Sequence, residues 1–389
     1  MVKPGYKQTE IGVIPENWEV GAIGSVCTSV AVGGNYQNSA TPSDYPLIKM
    51  GNLSRGNITL EKVEYIKATI PDQKDLLHYG DVLFNTRNTP ELVGKVAIWR
   101  NELPKAYYNS NLLRFVFDTE KADPFFMNLA LNTKETVSAF RNIAKGTTSV
   151  AAIYPQDLLK VIIPIPPLAE QQRIAEALSD MDELIASLEK LISKKKAIKQ
   201  GAMQELLTGK RRLPGFSGEW KQYLLGDVLT VGHGQSQHGI ENPAGKYPIL
   251  ATGGIVGRTN HFLCSEPSVL IGRKGTIDKP QYMDTPFWTI DTLFFTKIKR
   301  GFVPRYVYYV FCLIPWADYN EASGVPSLSA TVIESIKVTM PEFEEQIAIQ
   351  TVLSEIDCEL KSLEQKLVKT RQIKQGMMQQ LLTGKIRLN

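Results

Sequence analysis

Residues 198–210 of this chain read IKQGAMQELLTGK, and residues 373–385 read IKQGMMQQLLTGK. The offset of 175 holds without a gap back to Pro166 and Pro341, and it aligns AEQQRIAEALSDMDELIASLEK with EEQIAIQTVLSEIDCELKSLEQ. An internal repeat of this size decides architecture before local propensity does. A weaker echo opens each half. Asn17-Trp18 before Gly24-Ser25-Val26 matches Glu219-Trp220 before Gly226-Asp227-Val228, and Tyr45-Pro46-Leu47 matches Tyr247-Pro248-Ile249, now at an offset of 202. Two offsets mean that the segments between the repeats differ in length. The chain order is variable block, repeated block, variable block, repeated block, with boundaries at 1–165, 166–213, 214–340 and 341–389.

The repeated blocks are helical by their period. Apolar residues fall at Ile174, Leu178, Met181, Ile185, Leu188 and Ile192, and again at Ile349, Leu353, Ile356, Leu360, Leu363 and Leu367. Alternating spacings of three and four residues make a coiled-coil seam; two amphipathic helices buried in separate cores are the plainer alternative. Gly209 and Gly384, each after Leu-Leu-Thr, are helix stops. Gly201 and Gly376 sit inside the helices, where glycine costs about 1 kcal/mol relative to alanine, and their recurrence suggests a close approach of the two backbones, common descent of the halves being the plainer alternative. Charge orients the pair. From Glu170 to Glu189 six acidic residues face one basic, and from Lys190 to Arg212 eight basic residues face one acidic. The second copy runs the same way, acidic from Glu342 to Glu364 and basic thereafter. Parallel helices would set like charges side by side; antiparallel helices match them. One surface pair contributes under ~1 kcal/mol, but every block favours the same orientation. Forty-odd helical residues at ~1.5 Å each give a spacer rod of about 60 Å.

The variable blocks share a plan. YPLIKM, DVLFNT, KVAIW and LLRFVF in the first, and YPILAT, SVLIG, FWTI and TLFFTKI in the second, read as strands bounded by Gly, Asn or Pro. A helix is expected from about Pro124 to Ala144 and from Pro304 to Tyr319, each followed by a polar turn, Lys145–Ser149 and Ser323–Ser327. The expected fold is therefore α+β, with a pseudo-two-fold repeat: two similar globular domains separated by a long antiparallel two-helix coiled coil. Loops of the first block offer Lys49, Asn52, Arg55, Arg87, Asn88 and Lys145; those of the second offer Gln235, Gln237, His238, Arg258, Asn260, Arg273 and Lys274. Arg and Lys read guanine, Asn and Gln read adenine, and cations hold phosphates. Any one of these alone is more often a solvated surface residue. As a set they point to DNA.

Composition and motif searches exclude more than they suggest. At 389 residues, 43% apolar and 22% charged, the chain suits two or three globular domains rather than disorder. MVKPGYKQTEIG has no signal-peptide core, and the longest apolar run, Val161 to Ala169, is far short of the ~20 residues of a membrane span. A soluble, cytoplasmic protein is expected. Cys27, Cys264, Cys312 and Cys358, like His78, His233, His238 and His261, have no metal-ligand spacing, and reduced thiols are the expectation. Net charge is only +4, so the whole chain argues little for nucleic acid. Gly232–Gly239 and Thr252–Thr259 are glycine-rich but lack the spacing of dinucleotide or phosphate loops, and read as turns. Pro166-Pro167 is not the tetrapeptide of an adenine methyltransferase, and Pro71-Asp72 lacks the rest of a nuclease motif. No catalytic, cofactor or metal constellation is expected in this chain.

IGVIPENW (Ile11–Trp18), IPIPPLAEQQRIAEAL (Ile163–Leu178), QELLTGKRRLPGFSGEW (Gln204–Trp220), PEFEEQIAIQTVL and QQLLTGKIRL frame the whole chain. In these segments and their order it resembles the specificity subunit of type I restriction–modification systems. It departs at Met340-Pro341-Glu342-Phe343, where that family usually has two prolines and a leucine. The resemblance implies that each variable block is a target-recognition domain reading one half of a bipartite, asymmetric site in double-stranded DNA. It implies that the helices set the gap between the halves and dock two methyltransferase subunits, and that translocase–nuclease subunits join for cleavage. S-adenosylmethionine and ATP then belong to those partners, and this chain is non-catalytic. Two rivals stand beside this reading: a coiled-coil scaffold joining protein partners, and a sequence-independent DNA binder. The basic helix ends and the loop composition weigh against the scaffold.

Overall fold

Branched and aromatic runs become strands where the sequence expects them. The computed structural model describes residues 2–67, 69–147 and 149–388, and within it the chain packs as two units, 1–186 with 368–389 and 187–367. Each unit takes one variable block and part of both long helices.

In the first unit an antiparallel sheet has the order Val96–Ile98, Val82–Asn85, Leu112–Phe117, Cys27–Val32. Beside it Pro46–Ile48 lies parallel to Tyr107–Tyr108 and antiparallel to Glu64–Ile66. Phe84, Phe115, Phe126 and Phe140 fill the core between the sheet and the following helices. The helix expected over 124–144 is two helices, Pro124–Ala130 and Lys134–Ile143. Thr133 causes the break. Its hydroxyl accepts the backbone N–H of Thr136 and starts a new helix, while Asn132 donates to Val96 O at 3.1 Å and Asn128 O at 2.8 Å. Of the polar turn at 145–149, Thr148 lies outside the described residues.

The second unit repeats this frame. Its antiparallel sheet has the order Leu229–Gly232, Leu293–Ile298, Ser268–Gly272, Gln281–Met283. Tyr247–Ala251 lies parallel to Trp288–Thr289 and antiparallel to Gly254–Thr259. The expected helix from Pro304 ends at Leu313, because Pro315 cannot continue it, and Trp316–Tyr319 forms a 3-10 turn instead. Each unit is closed by a strand pair that its local sequence does not advertise, Glu19–Ala22 with Ile162–Ile165 and Lys221–Leu224 with Lys337–Met340.

The long helices are Leu168–Leu206 and Phe343–Leu381, of 39 residues each. Within each unit their segments run antiparallel. In the first, Ile174 and Leu178 share a core with Leu381 and Leu382; in the second, Met203, Leu206 and Leu207 share one with Ile349 and Leu353. Leu188, Ile192 and Leu360 are buried as seam residues, whereas Met181, Ile185, Ile356, Leu363 and Leu367 are half-buried. The seam ends thus merge into the domain cores. Ion pairs join late basic residues to early acidic ones throughout. Lys374 meets Asp182 in the first unit. In the second, Lys195 meets Glu359, Lys196 meets Glu364 at 2.8 Å and Lys199 meets Asp357 at 2.5 Å. The charge blocks therefore match in the antiparallel sense.

Gly209 and Gly384 stop the helices with φ of 70° and 68°, in the left-handed region. The close-approach reading of Gly201 and Gly376 is overturned: a Cβ at either would meet nothing within 4 Å. Both are open helical positions, so Gly201→Ala and Gly376→Ala should each stabilise the protein by about 0.5–1 kcal/mol. Urea unfolding checks this, and destabilisation by either would contradict it. Among the described residues no helix is long and apolar enough to cross a membrane.

Candidate nucleic-acid interface

The variable block of each unit is pinned to the long helices by a buried glutamate paired with a partly exposed arginine. Glu170, 2% exposed, accepts two hydrogen bonds from the Arg387 guanidinium, both 2.6 Å, and one from Trp18 Nε1 at 2.9 Å. Glu345, also 2% exposed, accepts from Arg212 at 2.6 and 2.7 Å and from Trp220 Nε1 at 3.3 Å. Each guanidinium also lies near its tryptophan ring, 5.9 Å and 5.7 Å from the centroid. Burial opposes the Glu170 charge, yet the bonds from Arg387 and Trp18 outweigh it and hold the carboxyl below the usual glutamate range. The neighbouring glutamines complete the joint. Gln171 accepts from Asp123 N and donates to Pro166 O, and Gln346 accepts from Val303 N and donates to Pro341 O. Motif reading passed over these residues. Their signal lay in the repeat itself, because Glu170/Glu345 and Arg212/Arg387 are related by the 175 offset and Trp18/Trp220 by the 202 offset.

From this anchored frame an exposed strand-end cation emerges at the same place in both units. In the first, Arg87–Asn88 pairs with Ala151–Ala152, which pairs with Lys145–Gly146. Arg87, Ala152 and Lys145 stand opposite one another in register, so their side chains share one face. Arg87 and Lys145 are exposed and Asn88 is half-buried. Lys145 lies 2.6 Å from Asp157, whose hydrogen bond raises the pKa of its ammonium, and 5.7 Å from the Tyr154 ring centroid. In the second unit Lys274 bridges Ser327, and Arg273 O accepts the N–H of Leu328 at 2.9 Å. The two places correspond: Leu112 pairs Asn85 in one sheet and Leu293 pairs Gly272 in the other, and two residues on come Arg87 and Lys274. The structure therefore gathers strand-end cations and polar turns that lie more than fifty residues apart in the sequence.

The other candidates have diverse settings. Asn52 is corrected: at 3% exposed, its Oδ1 accepts Lys49 N while its Nδ2 donates to Thr59 O and Lys62 O, so it braces a turn. Lys49 is half-buried and paired with Glu64 at 2.9 Å. Arg258 braces its loop through Gly245 O at 2.6 Å and Lys246 O at 2.8 Å, and Asn260 accepts Lys246 N at 3.2 Å. Arg55 is exposed, with one bond to Gly94 O at 3.4 Å; partial desolvation of its guanidinium, with Arg141 nearby, lowers its pKa. Gln235 and His238 are exposed, and the Gln235 carbonyl accepts from Trp288 Nε1 at 3.0 Å. Gln237 Oε1 is buried and finds no partner among the described residues. Arg273 is half-buried, and Lys274 is exposed. Among the described residues no cluster of three or more His, Cys, Asp or Glu is arranged to hold a metal.

Known proteins give this arrangement a context. The profile of the type I restriction modification DNA specificity domain matches the chain twice, over residues 15–200 and 217–370. The chain is 27% identical to the putative type I restriction enzyme MjaX specificity subunit of Methanocaldococcus jannaschii, across 98% of this chain and 97% of that one. Its fold is similar to that of the type I restriction–modification S subunit from M. genitalium, with a TM-score of 0.66 at 16% identity over 94% of this chain and 96% of that one. A chain from a structure of complex assembly and conformational transition in the type I R-M system matches with a TM-score of 0.56 at 17% identity, over 96% and 99%. With a specificity domain matched in each half, each on a frame closed by the same Glu–Arg–Trp joint, the chain belongs to the type I restriction–modification specificity subunits, the DNA sequence-recognition subunits of those systems.

Proposed function

We propose that each unit reads one half of a bipartite, asymmetric site in double-stranded DNA, and that the long helices set the gap between the halves. The observation that carries this reading is one frame, built twice, with an exposed cation, Arg87 or Lys274, at the same place and unlike loops around it. Two readers of different sequences need a common frame and different contacts. The chain docks two methyltransferase subunits and works in the cytoplasm, with translocase–nuclease subunits joining for cleavage. It performs no catalysis itself; S-adenosylmethionine and ATP are held by the partners. Mapping N6-methyladenine in a host that expresses this chain with its methyltransferase tests the reading. A single bipartite motif is the expected result, and methylation without a common motif would overturn it. Calorimetric titration of the isolated chain with S-adenosylmethionine should show no binding; stoichiometric binding at micromolar concentration would refute the division of labour.

A further inference from the structure

We infer that the turn joining Tyr247–Ala251 to Gly254–Thr259 is a base-reading element, and that Ile255 and Val256 contact the 5-methyl group of a thymine in the major groove. The inference rests on the DNA-recognition reading and adds a pair of residues and a base to it. The strand pair carrying this turn corresponds to Pro46–Ile48 with Glu64–Ile66 in the first unit. Both pairs carry a proline in register, Pro46 with Tyr65 and Pro248 with Arg258, and both lie beside a short parallel strand. What joins the strands differs entirely. In the first unit residues 49–63 form a longer excursion with a 3-10 turn and an internal bridge, Leu53 with Ile58. In the second the chain reverses tightly at Gly253-Gly254, where Gly254 has a φ of 112° that other residues rarely adopt. A common frame with unlike tips is what two readers of different sequences require.

The tip of the second unit is apolar and outward-facing. Ile255 is 65% exposed and its neighbour Val256 52%. Adjacent strand residues ordinarily point to opposite faces. Here the register shifts, Leu250 opposing Ile255 and Ile249 opposing Gly257, which leaves Val256 in a bulge that turns both side chains to solvent. The turn is also fixed, since Gln281 Nε2 donates to Ala251 O and Thr252 O, both at 3.3 Å. It lies near the strand-end cation: a Cβ on Gly275, the residue after Lys274, would stand 3.9 Å from Thr252 Oγ1. A lysine near an apolar tip suits a groove lined by phosphates. The major groove admits a two-stranded ribbon, and thymine is the only base that shows it an apolar group.

The test uses the full chain assembled with its methyltransferase, on duplexes carrying the mapped site. Each thymine is replaced in turn by deoxyuridine, which removes only the methyl group. One replacement should weaken wild-type binding about three- to tenfold. The Ile255→Ser, Val256→Ser double variant should bind the native site more weakly by a similar factor and be indifferent to that replacement. The proposal is overturned if no thymine in the site is methyl-sensitive, if the site has none, or if the variant keeps the wild-type sensitivity. It is equally overturned if the variant reads DNA normally but loses the methyltransferase, which would make the tip a protein contact. Failure of the recognition reading looks different: the wild-type assembly would bind unrelated duplexes as tightly as its own site.

Discussion

Glu170→Ala should destabilise the first unit by about 2–3 kcal/mol, and Glu345→Ala should destabilise the second in the same direction. Each carboxylate is buried and takes two hydrogen bonds from its partner's guanidinium, so truncation removes the countercharge of a partly exposed Arg387 or Arg212. Arg387→Ala should also destabilise, because it leaves a buried carboxylate without its countercharge. The Glu170→Ala, Arg387→Ala double variant should cost less than the sum of the singles, since the two act as one joint. Hydrogen exchange resolved by segment is the fitting measurement, because each substitution should loosen its own unit first. A loss under about 1 kcal/mol from Glu170→Ala would reduce the joint to the standing of a surface pair. The pH dependence follows from the depressed Glu170 pKa. Its stabilisation is in full force above the ordinary glutamate value of 4.5 and fades as pH falls below that through the folded value. Glu170→Gln should therefore remove part of the acid sensitivity while lowering stability at neutral pH.

That joint also shows where sequence reading stops. The helices, their antiparallel sense and the strands Leu112–Phe117 and Ser268–Gly272 were legible, because period and charge pattern are local signals. Glu170 and Arg387 stand 217 positions apart, and no local pattern links them. The closing strand pairs were hidden for the same reason: Ile162–Ile165 is an apolar run broken by prolines, and only Glu19–Ala22 beside it makes it a strand. Asn52 misled because loop composition does not reveal burial, and its amide serves three backbone groups rather than a base. The break at Thr133 was legible in principle, since threonine there caps a helix as readily as it continues one. Gly201 and Gly376 differ from this case, since their recurrence corresponds to no packing and the structure has open space around both.

Neutralising the strand-end cations should separate the two readers. Arg87→Ala removes an exposed cation that shares a face with Lys145 in the first unit, and Lys274→Ala removes the corresponding one in the second. If these side chains hold phosphates, each loss should weaken binding without relaxing the sequence read, and should lower the salt dependence by about one counterion. If Arg87 instead reaches a guanine edge, the loss is about 1–3 kcal/mol, roughly five- to 150-fold, and one position of one half-site becomes degenerate. Lys145 lies against Asp157 and Tyr154, which limits its reach, so Arg87→Ala should cost more than Lys145→Ala. Binding measured across a salt series, on duplexes with each half-site scrambled in turn, discriminates these outcomes. Arg87→Ala should leave the half read by the second unit unaffected, and Lys274→Ala the reverse. Equal loss on both halves from either substitution would mean that these cations serve the whole duplex as a general electrostatic surface. No loss from either would remove them from the interface and leave the hairpin tips to carry recognition.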